Sequence, residues 1–251
     1  KTVHAHSPGL AKRESALTLS RMVHFTLFGI PVYIRPSFWV VLAIFGGALS
    51  ISSVEDLIYP ALFVIAGFVA ILSHEMGHAL VGRKLGGGQQ TIVLELFGGL
   101  TSSHGMQLTR GGRALMILAG PMMTLLLGII SLWLTWNIVA PVMTSYNLNF
   151  WDLAISPFTA ALISPKLYIL SCLIMIGEWW TILNLLPIYP LDGGQLIAQY
   201  IRSPRKVFMT GFITAILIGL LSFQLFHGYF IPIFMALFAY SNYREYKNAP
   251  F

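Results

Sequence analysis

The sequence predicts an all-α polytopic membrane protein: about six transmembrane helices, with a short membrane-associated β-hairpin or sheet between two of them. Three observations predict it. Of 251 residues, 56% are hydrophobic and 10% are charged, where a soluble domain carries roughly 25% charge. Apolar runs approaching the ~20 residues that cross a bilayer recur along the chain. The basic residues gather on one side of the layout that these runs define.

The elements follow in chain order. Residues 1–21, KTVHAHSPGLAKRESALTLSR, are polar and lack the apolar core of a signal peptide. Met22 follows and opens MVHFTLFGIPVYIRPSFW, so 1–21 is expected to be a leader or expression remnant, with a natural tail as the alternative, and 22–251 one membrane domain. GIPVYIRP (29–36) does not read as a span. The candidate spans are 37–53, 57–82, 111–139, 167–186, 207–226 and 229–242. The third is long enough to tilt or kink at Gly120–Pro121, and the last is short. Between the second and third lies TIVLELFGGLTSS (91–103). It alternates apolar and polar residues and holds a Gly-Gly turn, which reads as strands or a hairpin. Such backbone enters a bilayer only where protein buries it or it lines a cavity.

Arg21, Arg35, Arg83, Lys84, Arg110, Arg113, Arg202, Arg205, Lys206, Arg244 and Lys247 fall on one side of this layout, joined by Lys1, Lys12 and Arg13. Only Lys166 falls on the other, with Glu55, Asp56 and Asp152. The positive side is expected to be cytoplasmic, which places both termini inside. The net charge of +6 is therefore topology. No basic patch is interleaved with aromatics, so nucleic acid is not an expected partner. The single cysteine, Cys172, excludes an internal disulfide and a multi-cysteine metal site.

HEMGH (74–78) fits H-E-x-x-H. Residues i and i+4 share a helix face, so His74 and His78 can bind one metal, with Glu75 beside it as a general base. Two surface histidines are the plain alternative, but ionisable groups in an apolar helix are costly unless they serve a function. His74 lies about 27 Å along the helix from Asp56, near Arg83 and Lys84.

A catalytic site of this kind needs a third ligand. Glu178 and Asp192 are the candidates, with Glu95 a weaker one. Asp192 sits in NLLPIYPLDGG (184–194). Pro187 and Pro190 break the helix there, and Gly193 and Gly194 let the backbone turn, so the segment can aim a carboxylate at the histidines. Glu178 lies about 14 residues earlier, roughly 20 Å away if helical, so Asp192 is favoured.

HEMGH and NLLPIYPLDGG together resemble the site-2 protease family of intramembrane zinc metalloproteases, in a compact form without PDZ or CBS domains. G-I-P-V (29–32), F-G-G (97–99) and A-G-P (119–121) support the resemblance. It implies one Zn2+ per chain held by His74, His78 and Asp192, with Glu75 as catalytic base. It implies a membrane-spanning protein segment as substrate, unwound and cut within or near the bilayer. Phe97, Gly98 and Gly99 would hold that substrate extended, in keeping with β-augmentation. Asn184 would bind its backbone or polarise the carbonyl; the alternative is an amide pinning the broken helix. A multi-pass protein of a prokaryotic plasma membrane is expected, active-site side cytoplasmic, with the bilayer as a partner and homo-oligomerisation left open.

Two departures stand out. Thr124 occupies the place where the family often has asparagine, and Glu178-Trp179-Trp180 has no counterpart to carry over. Rival readings are a CAAX-type membrane metalloprotease using Glu178 as third ligand, a catalytically silent adaptor for membrane segments, and a transporter built on the broken fourth span.

Overall fold

The structure, a computed structural model, describes residues 22–96, 98–146, 151, 154 and 156–250. The expectations for residues 1–21 and for Phe97 lie outside the described residues.

Strands β1 (Val23–Leu27) and β2 (Ile30–Ile34) form an antiparallel hairpin. Its two-residue turn is Phe28–Gly29, both at positive φ (50° and 75°), as the hairpin twist requires. Helices α1 (Pro36–Phe45) and α2 (Ile58–Gly86) then cross to β3 (Gln89–Glu95), which runs parallel to β2. A second hairpin leads to β4 (Gly98–His104). The order is β1-β2-β3-β4, which leaves β4 at an edge.

Alternation sets one face of this sheet against the helices. Ile30, Val32, Ile34, Ile92 and Leu94 are buried with Phe38 and Leu42 of α1 and with Ile71, Leu72, Met76 and Ala79 of α2. The α2 residues bracket HEMGH, so the sheet lies directly on the turns that carry it.

Helices α3 (Arg110–Tyr146), α4 (Pro157–Ala161), α5 (Pro165–Asn184), α6 (Asp192–Ala198), α7 (Pro204–Phe226) and α8 (Phe230–Asn248) follow. Helices α2, α3 and α5 pack on one another, and α7 pairs with α8. Helix α5 starts where Pro165 takes the first helical position and the Ser164 hydroxyl accepts the Leu167 N–H. It stops at Asn184, before Pro187. The segment beyond is tied to α7 and α8 by buried Ile188, Ala215, Met235 and Ala239.

The six expected spans are not confirmed. Among the described residues four helices, not six, are long and apolar enough to cross a membrane: Glu55–Gly86, Arg110–Ala140, Pro165–Asn184 and Pro204–Leu225. The run 37–53 yields only the 10-residue α1, which ends at Gly46. That is about 15 Å of helix, half the roughly 30 Å of a hydrocarbon core. The run 229–242 is the start of α8, whose last turns carry Arg244, Glu245 and Lys247. The first hairpin goes beyond the sequence expectation, which gives 29–36 only as a segment that does not span. Helix α3 runs unbroken past Pro121.

Candidate metal centre

His74 and His78 of α2 turn one face toward Asp192, and all three are buried. His74 Nε2 and His78 Nε2 are 3.1 Å apart. Asp192 Oδ2 lies 3.0 Å from the first and 3.3 Å from the second. A tetrahedral ion with bonds of about 2.0–2.1 Å separates its ligand atoms by roughly 3.3 Å. The triangle therefore has close to the edge lengths of one tetrahedral face. Among the described residues this is the group of His, Cys, Asp and Glu side chains placed to hold a metal ion.

The chemistry of the donors fits the same reading. His78 Nδ1–H donates to the Met116 carbonyl at 2.8 Å. That commits the ring proton outward and leaves the Nε2 lone pair facing His74 and Asp192, the arrangement by which a backbone carbonyl orients a metal-binding imidazole. His74 Nδ1 is buried without a hydrogen-bond partner. Gly120, the centre of A-G-P, gives His78 its room: a Cβ there would run into the imidazole ring. The absent side chain lets the α3 backbone come close enough for Met116 to reach His78.

Asp192 arrives on the break after α5. It is the first residue of α6, and Gly193 and Gly194 lie within that helix's first turn rather than in a free loop. The break is held from α8. Asn242, 1% exposed, donates through Nδ2 to the Tyr189 carbonyl at 2.7 Å and the Phe238 carbonyl at 2.9 Å. Nothing in the sequence reading singled out Asn242.

The triangle opens on a cavity of about 500 Å³ lined by Glu75, Gly98, Gly99, Thr101, Trp180 and Asn184, with Phe238 and Ser241 of α8 also in its wall. Glu75 is buried and accepts the Thr101 hydroxyl at 2.7 Å. Asn184 donates through Nδ2 to the Trp180 carbonyl at 2.9 Å, one turn back on its own helix, so one of its amide hydrogens pins the end of α5. Glu178 is exposed and does not line the cavity, so the His-His-Glu arrangement is not formed. Glu95 reaches the cavity rim but pairs with Arg35 at 2.9 Å. Thr124 links helices: its Oγ1 lies 2.7 Å from Thr181 Oγ1 of α5 and donates to the Pro121 carbonyl at 3.0 Å. Thr101, Trp180 and Asn242 are the site residues that sequence reasoning missed.

The model of peptidase family M50 matches residues 62–226. A zinc metalloprotease of Methanocaldococcus jannaschii is 29% identical over 227 residues, which is 86% of this chain and 57% of that protein. A relative from Synechocystis sp. is 28% identical over 188 residues, 70% of this chain and 43% of its own. The chain thus spans about half the length of these relatives. Among solved structures, the site-2 protease from Methanocaldococcus jannaschii shares the fold with a TM-score of 0.58 at 24% identity, over 90% of this chain and 95% of that one.

Proposed function

The chain belongs to peptidase family M50, the site-2 protease family, and from that premise we propose that it is a zinc-dependent intramembrane endopeptidase that cuts membrane-spanning protein segments. One observation carries the proposal. Two imidazoles and a carboxylate converge at 3.0–3.3 Å, with a second buried carboxylate beside them, inside a bundle of helices apolar enough to cross a membrane.

His74, His78 and Asp192 would hold one zinc ion. The ion would supply Lewis acidity toward the scissile carbonyl and acidify a water. The remaining work falls to the chain's own groups. Glu75 takes the proton of the attacking water on its carboxylate and returns it to the leaving amide nitrogen. Strand β4 offers an edge on which an extended substrate can pair, and Gly98 and Gly99, at its start, line the cavity beside Trp180 and Glu75. Asn184 keeps a second amide hydrogen for the substrate backbone. The bilayer, of a prokaryotic plasma membrane by family resemblance, surrounds the bundle, and the charge bias of the chain supports the cavity and both termini on the cytoplasmic side.

The test is cleavage of membrane-spanning peptides by the zinc-loaded chain in lipid. Glu75→Gln should keep its fold and zinc and lose about 10²- to 10⁴-fold in turnover. Zinc-dependent cleavage at the wild-type rate by that variant would refute the role of Glu75.

A further inference from the structure

We propose that strand β4 holds the general base: Thr101 is a positioning residue for Glu75, and Gly99 is the slot that admits its side chain. The proposal rests on the reading of Glu75 as the base. It gives Gly99 a second task, beyond the substrate contact implied by the family motif.

Register sets the arrangement. In the β3–β4 pair Gly99 stands opposite Leu94 and Thr101 opposite Ile92. Leu94 and Ile92 are buried against α2, and directly paired residues share a face of the sheet. Gly99 and Thr101 therefore face α2 as well, two residues apart on one face. At position 99 a Cβ would run into Cγ and the carboxylate of Glu75, so that side chain lies flat on the strand. At position 101 the hydroxyl donates to Glu75 Oε2 at 2.7 Å, and the same oxygen is 3.2 Å from the Glu75 carbonyl. A hydroxyl has one proton, and the shorter contact assigns it to the carboxylate. Threonine is stiff at χ1, so the donor is fixed in direction.

The consequence concerns alignment. A substrate paired along the free edge of β4 and a base bound to the face of the same strand share one frame. The distance from the Glu75 carboxylate to the scissile bond is then set by strand geometry rather than by a free glutamate rotamer. Catalytic groups depend on this kind of preorganisation.

The experiment compares wild type, Thr101→Val, Thr101→Ser, Glu75→Gln and the Glu75→Gln/Thr101→Val double variant, as full chains in detergent. Two readouts are used. The first is kcat and KM for a membrane-spanning peptide with zinc bound. The second needs no turnover: cobalt-substituted protein is titrated with acetohydroxamate and followed by visible absorbance. A hydroxamic acid gives its O–H proton to a neighbouring base when it chelates a metal, so its affinity reports where the Glu75 carboxylate sits. Thr101→Val should lower kcat and weaken acetohydroxamate about tenfold, the low end for groups that orient a metal site, with KM and metal content unchanged. Thr101→Ser should restore both. The double variant should bind acetohydroxamate no worse than Glu75→Gln alone. The proposal is overturned if Thr101→Val matches wild type in the titration, or if the double variant loses a further tenfold. A chain that takes up metal but cuts no peptide would sink the protease reading, while the titration would still decide the role of Thr101. A chain that takes up no metal would sink both.

Discussion

At the scale of single residues, the centre is a set of short contacts with little slack. His78 is caught between the Met116 carbonyl on one ring nitrogen and Asp192 on the other, and Gly120 leaves only the space that ring needs. Gly120→Ala should push the imidazole out of line. Competition with a chelator should then show zinc affinity lower by about 10- to 100-fold; unchanged affinity would show that the ring has room to shift. His74, Glu75 and His78 were legible in the sequence because their relation is local: one helical turn puts both imidazoles on one face whatever the rest of the chain does. Thr101 was not legible. Its link to Glu75 spans 26 positions and depends on a strand register that nothing local dictates. The available signal was the Gly-x-Thr spacing at 99 and 101, which places a gap and a hydroxyl on the same strand face.

At the scale of elements, the site depends on how α5 ends. The two prolines announced the break, and the aspartate after them was readable as a carboxylate that the break could turn toward the histidines. What anchors the break was not readable, because Asn242 lies 53 residues beyond Tyr189 on a helix with no motif. Asn242→Ala removes the donor that holds the Tyr189 carbonyl. It should lower zinc affinity about tenfold, as outer-shell losses do; wild-type affinity would mean that Ile188 and the helix contacts suffice to hold the segment. The Thr124–Thr181 link between α3 and α5 is a contrasting case. Hydrogen bonds between membrane helices average about 0.6 kcal/mol, so Thr124→Val should leave zinc content unchanged and thermal stability barely altered. The element errors have local causes. Gly46–Gly47 cuts an apolar run that counting treats as continuous, and Gly47 sits at φ 88°. Pro31 lies inside β2 and breaks the look of a strand, although Ile30, Val32 and Ile34 keep the period of two.

At the scale of the whole molecule, the helices hold two imidazoles and two carboxylates in a largely apolar cavity, and the sheet brings an edge strand to its side. The charge bias predicts its orientation. In intact cells, a membrane-impermeant maleimide should label Ser53→Cys, while Asn248→Cys should react only after the membrane is opened; the reverse pattern would invert the topology. The membrane class was legible because it follows from composition alone. The helix ends were not, because hydropathy does not see where a helix stops. The account as a whole stands on the identity of the third ligand, and the most direct measurement is the zinc content of the purified chain beside Asp192→Ala and Glu178→Ala. About one zinc per chain is expected in the wild type and in Glu178→Ala, with a sharp loss in Asp192→Ala. Zinc that survives Asp192→Ala but falls with Glu178→Ala, or a wild-type chain that takes up none, would contradict it.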